Sequence, residues 1–173
     1  MKRIVSIISL AFIVVFIIVF MPLFEKKSAQ TLLFYIERGR VGELTLTIRY
    51  ADAFLSIKPI SLDELIESTD SSEALFYKVV VTGDDLEEYS DVLYNIATLP
   101  LSGDSLVSDN DYMDVRVYYN LKNRLGKTIF EVIMWGNDGS IFVNGIKTKP
   151  YDAYEDIVKP FLYESTSPFD WGS

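Results

Sequence analysis

The 173-residue chain has no cysteine and no histidine, and its formal net charge is −9. The first absence excludes disulfides, thiolate nucleophiles and zinc–thiolate sites, and the second removes the commonest general base and transition-metal ligand. Hydrophobic residues make up 49%, with eleven Tyr, eleven Phe and two Trp, enough apolar mass for one folded domain plus an anchor.

Lys2 and Arg3 precede an uncharged, mostly apolar run from Ile4 to Phe24. At about 1.5 Å per residue this run makes a helix of about 30 Å, the thickness of the hydrocarbon core. A transmembrane anchor is therefore expected over residues 1–24, with residues 4–24 meeting membrane lipid. The rival is a cleaved signal peptide, which wants a shorter apolar region and small residues at the cut. Here the small-residue candidate Ser28-Ala29 has Lys27 where a small residue is wanted. Lys26 and Lys27 beyond the run balance Lys2 and Arg3 before it, so charge alone does not orient the segment. Because long domains translocate largely regardless of nearby charge, the expectation is a single-pass membrane protein with its domain outside the cytoplasm.

Residues 25–42 form a juxtamembrane segment. Ala29, Leu32, Leu33 and Ile36 share a helical stripe, with Lys26, Lys27, Arg38 and Arg40 available to phosphates. An interfacial helix, a helical stalk and a first strand all fit this pattern. The globular domain is placed at 43–164 and a short tail at 165–173. Residues 28–173 carry twelve basic and twenty-four acidic groups, a net of −12, and so repel nucleic acid.

In Glu43 to Tyr50, Leu44, Leu46 and Ile48 alternate with polar residues, the pattern of a half-buried strand. Phe54 to Ile57 reads as a second strand. Ser61-Leu62-Asp63-Glu64 is a capping box opening a short helix to about Ser68. Leu75 to Val81 reads as a largely buried strand. Asp84, with Glu87 three residues on, opens a helix whose stripe is Leu86, Tyr89, Leu93 and Ile96, ended by Pro100. A polar loop follows. Strands are then expected over Met113–Tyr119, Thr128–Trp135, Ser140–Val143 and Ile146–Lys149. Asn137-Asp138-Gly139 and Asn144-Gly145 are the turns, the second suited to type I′. Tyr151 to Tyr163 closes the domain as a helix kinked at Pro160.

The fold class is α+β: after the anchor, a mainly antiparallel sheet with helices packed on one face. From residue 75 the order β-α-β-β-β-β-α resembles the TATA-binding-protein-like topology, an analogy of element order that implies no function. An anchor, no cysteine and a compact α+β domain also resemble the uncharacterised small membrane-anchored extracytoplasmic proteins of Gram-positive bacteria.

Chemistry is sparse. Gly126-Lys127-Thr128 imitates the end of a phosphate-binding loop. Leu121 stands where that motif needs glycine, and the segment joins two strands, so a hairpin turn is expected. Asp104, Asp109, Asp111 and Asp114 offer oxygen ligands without the glycine and distal glutamate of an EF-hand loop. No G-x-S-x-G or S-x-x-K occurs, and no motif calls for a cofactor. Aromatic residues stand out more. If Val117 and Tyr119 face inward, Tyr118 faces solvent, and either Met134 or Trp135 must also face outward. Tyr118, Trp135, Phe142 and Trp171, with Phe169, form a candidate partner surface, unless the second face is covered by residues 25–60 or by the tail. The leading functional expectation is a non-enzymatic domain beside the membrane that binds an envelope protein or peptide. Two alternatives are a carboxylate-dependent envelope enzyme acting on glycans, and an inhibitor or sensor domain regulating a neighbouring membrane protein.

Overall fold

A computed structural model describes residues 29–52, 58–101, 114–136 and 139–162. The apolar run 4–24, the expected strand at 54–57 and the tail lie outside the described residues. Among the described residues, no helix is long and apolar enough to cross a membrane.

The chain is α+β, built on one six-stranded antiparallel sheet. Its strands are β1 (Thr45–Ala51), β2 (Phe76–Thr82), β3 (Val115–Lys122), β4 (Thr128–Trp135), β5 (Ile141–Val143) and β6 (Ile146–Thr148). Their order across the sheet is β2-β1-β3-β4-β5-β6. All but the β2–β1–β3 arrangement follow from hairpins between neighbours in sequence. At the β5–β6 turn, Asn144 and Gly145 both take positive φ, at 50° and 82°, as a type I′ turn requires.

Residues 29–37 form the first helix, α1. It ends in a Schellman motif: Gly39 takes φ 60°, the Arg40 amide donates to the Tyr35 carbonyl at 2.8 Å, and the Gly39 amide donates to that of Ile36 at 3.0 Å. Leu32 is fully buried, and Leu33, Tyr35 and Ile36 pack against the same core. The stripe expected to lie on headgroups or to form a stalk is instead spent on the domain. Val41 and Leu44 are buried beside it, so the fold begins before residue 43.

Helix α2 (Leu62–Asp70) starts where Ser61 accepts a hydrogen bond from the Glu64 amide at 3.1 Å, half of the expected capping box. Glu64 turns its carboxylate to Lys58 at 2.8 Å. The single helix expected from Asp84 divides into α3 (Asp84–Glu87) and α4 (Ser90–Thr98). Gly83, at φ 62°, precedes α3 where Asp84 was expected to cap. Leu86, Leu93 and Ile96 are buried as the stripe requires. The last helix is shorter than expected: α5 (Ala153–Asp156) gives way to a 3-10 turn over Lys159–Phe161, because Pro160 has no amide hydrogen to continue the helical ladder.

Side chains of one sheet face, among them Leu46, Ile48, Tyr50, Val117, Tyr119, Val132 and Met134, form the main core with α1, α4 and α5. The opposite face holds a smaller cluster of Ala51, Val115, Tyr118, Ile133 and Phe142 with Ile60 and Leu65. Helices therefore cover both faces, against the expectation of one. Strand β1, expected to be half-buried, is enclosed on both sides for the same reason.

Candidate functional site

Of the aromatic residues proposed as a partner surface, those described do not lie together in solvent. Tyr118 is only 7% exposed and Phe142 only 2%. Trp135 is partly buried and tilts against Phe142 with ring centroids 4.8 Å apart, with the Lys147 ammonium 6.0 Å from its centroid. Trp171 and Phe169 lie outside the described residues. Tyr118 and Tyr119 point to opposite faces, as strand alternation requires. What alternation cannot supply is the cover: Ile60 and α2 pack in the second-face cluster that holds Tyr118, and Trp135 and Lys147 lie against Phe142.

Next to that apolar cluster the second face turns polar. Asn120 donates to the Tyr118 hydroxyl at 2.8 Å, and that hydroxyl donates to Glu131 at 3.1 Å. Burial pushes the Tyr118 phenol up to about 12, and the Glu131 carboxylate adds to the rise while Asn120 opposes it. The phenol thus stays protonated and serves as a donor. On β1, Arg49 reaches out to Asp70 at 2.8 Å, and Lys78 on β2 meets the same carboxylate oxygen at 2.7 Å. These contacts, the Lys78 bond first, hold the Asp70 carboxyl below its ordinary range. Asp70, at the end of α2, thereby ties the helix to two strands.

The other sequence candidates resolve as structure. Gly126-Lys127-Thr128 is the β3–β4 hairpin: Gly126 takes φ 74°, and the Asn123 side chain accepts from the Leu125 and Lys127 amides. Asp114 pairs with the buried Arg116, whose guanidinium also donates to the Lys58 carbonyl at 3.3 Å. A β-bulge between Val115 and Val117 sets Arg116 there. Gly136 packs so closely that a Cβ would run into the Arg116 side chain. Asp104, Asp109 and Asp111 lie outside the described residues. Among those described, no group of three or more carboxylates could hold a metal.

What remains is an edge. The run L-F-Y-K-V-V-V looks buried in sequence, yet β2 is the outermost strand and mostly intermediate or exposed. It pairs over all seven residues with β1, from Phe76 opposite Ala51 to Thr82 opposite Thr45. No described strand pairs with its other side. Tyr77, Val79 and Val81 turn to the main core, where Tyr77 stacks on Tyr50 at 4.9 Å. Val80 faces the other way and is 53% exposed. Sheet edges of this kind are usually blunted by shortness, proline or several charges. β6, at the far side, is short, with three residues. β2 is long, lacks proline, and carries one charge, Lys78, which Asp70 engages. The β2 edge was missed in the sequence because edge status depends on β1 inserting between β2 and β3. Compared with protein-family models, curated proteins and solved structures, the chain matches none.

Proposed function

We propose that the chain is a membrane-held, non-enzymatic docking domain that accepts an extended segment of a partner protein along the outer edge of β2. The observation that carries this reading is the seven-residue edge strand, open on one side among the described residues and presenting a half-exposed valine. Main-chain hydrogen bonds to such an edge supply affinity, and alternate side chains supply selectivity. The apolar run from Ile4 to Phe24 supports placement at a membrane, with the domain outside the cytoplasm.

The test is a photo-crosslinking amino acid placed at position 80 of the full chain in intact cells, with position 125 as control. Leu125 is 91% exposed at the β3–β4 hairpin tip, separated from β2 by β1, and is not part of the edge. The expected result is a crosslink at 80, absent at 125, mapped to an extended segment of one protein and lost in a Lys78→Pro chain. Equal labelling at both positions, or none at either, overturns the docking reading. Protease treatment of the same cells checks placement: a C-terminal tag should be digested from outside, and a protected tag overturns the external assignment.

A further inference from the structure

The net acidic charge of this protein is concentrated in the segment that contains β2, the strand whose outer edge is open among the described residues. Residues 61–100 comprise α2, β2, α3 and α4, and they contain ten acidic residues and one basic residue, Lys78. Their net of −9 equals that of the whole chain; the remaining residues hold fifteen acids and fifteen bases. The placement is as uneven as the count. Glu73 is exposed just before the chain enters β2, Glu67 is exposed on α2, and Asp84, Asp85, Glu87 and Glu88 are exposed where the chain leaves β2. The one central base is already engaged by Asp70.

The geometry points to a cationic occupant: we propose that β2 takes up a basic extended peptide, apolar at its centre against Val80 and carrying Lys or Arg toward both ends. This rests on the docking reading above. Seven strand residues span about 20 Å, so the two acidic flanks sit one peptide strand apart. Charge of one sign at both ends attracts a strand of the opposite sign and repels acidic ones, a second copy of this chain included. The same repulsion supplies the protection against edge-to-edge pairing that β2 lacks in its own residues.

The test uses the full chain in detergent micelles and three synthetic peptides of about nine residues, long enough to cover the strand and both flanks. All three alternate valine and threonine; they end in lysines, serines or glutamates. Binding is read by fluorescence anisotropy, and contact with the edge by hydrogen exchange of the β2 amides. The lysine peptide should bind about tenfold more tightly than the serine peptide, and the glutamate peptide most weakly. The preference should collapse at about 0.5 M salt and in a Glu73→Lys, Asp85→Lys double variant, both positions being exposed. In each complex the β2 amides should gain protection. If the serine peptide binds as tightly as the lysine peptide with β2 protected, the cationic inference falls and the docking reading stands. If the lysine peptide is preferred while β2 stays unprotected, the binding is adsorption to acidic helices and the inference falls. If no peptide binds, both fall.

Discussion

On one face of the sheet Tyr50, Tyr119 and Tyr154 are fully buried among aliphatic side chains; on the other, Tyr118 shares its hydroxyl with Asn120 and Glu131. The main face draws its cover from both ends of the described chain, α1 and α5, with α4 between. The second face draws its apolar cover chiefly from Ile60 and α2 and closes with polar contacts and the Arg49–Asp70–Lys78 cluster. One face is stabilised by removing apolar area from water; the other mixes a small apolar cluster with hydrogen bonds that exchange for bonds to water.

Truncating a buried leucine on each side tests the ranking. Leu93→Ala should cost about 4 kcal/mol and Leu65→Ala about 2 kcal/mol, both within the range for core leucines. The difference reflects the larger set of neighbours that cannot close the cavity at Leu93. Urea denaturation of the purified chain measures both, and an equal or reversed order breaks the comparison. Next in size are the tyrosines. Tyr118→Phe and Tyr119→Phe should each cost about 1 kcal/mol; Tyr118→Phe strands Asn120 and Glu131, while Tyr119→Phe strands the Tyr154 carbonyl. Burial raises the phenols of Tyr118 and Tyr154 to about 12 and holds that of Tyr119 well above its ordinary value. A raised phenol keeps its stabilising effect below the unfolded value near 10 and loses it as pH climbs toward the folded value. Stability should therefore fall between about pH 10 and 12, and each Phe variant should lose less over that window than its parent.

Smaller still is the Asp70 cluster. Asp70→Asn should cost about 0.5 kcal/mol, because its carboxylate is half-exposed and solvent screens the pairs. A lowered carboxyl stabilises above its unfolded value, near 4, and stops doing so as pH falls through the folded value. The variant and the parent should thus converge below about pH 4, and also in high salt. At the bottom of the scale, Leu125→Ser at the exposed hairpin tip should change stability by less than about 0.5 kcal/mol.

The elements legible in sequence were those whose chemistry is local. Ser61 caps its helix because its own hydroxyl reaches the amide three residues on. Asn144-Gly145 turns because both residues accept positive φ. Thr128–Trp135 matches the expected strand end to end because two turns bound it. Legibility failed where a distant segment decides the outcome. The burial of Tyr118 is hidden because α2, roughly fifty residues earlier, packs over its face of the sheet. The edge character of β2 was hidden because β1 takes one flank of that strand and nothing in L-F-Y-K-V-V-V says which flank stays open. The α3–α4 break also escaped notice, since the apolar stripe continues across it through Leu86, Leu93 and Ile96.

The ties from the sheet to the end of the chain set a timetable for synthesis. The Tyr50 hydroxyl donates to the Phe161 carbonyl at 3.3 Å and that of Tyr119 to the Tyr154 carbonyl at 3.1 Å, in the same core that buries Leu32 and Val41. About 120 residues separate Val41 from Phe161. At about 5–20 residues per second, α1 waits roughly 6–24 s for the segment that completes its core. For that interval the apolar face of α1 and the central strands lack their final cover, the period in which a nascent chain is most in need of an attendant chaperone.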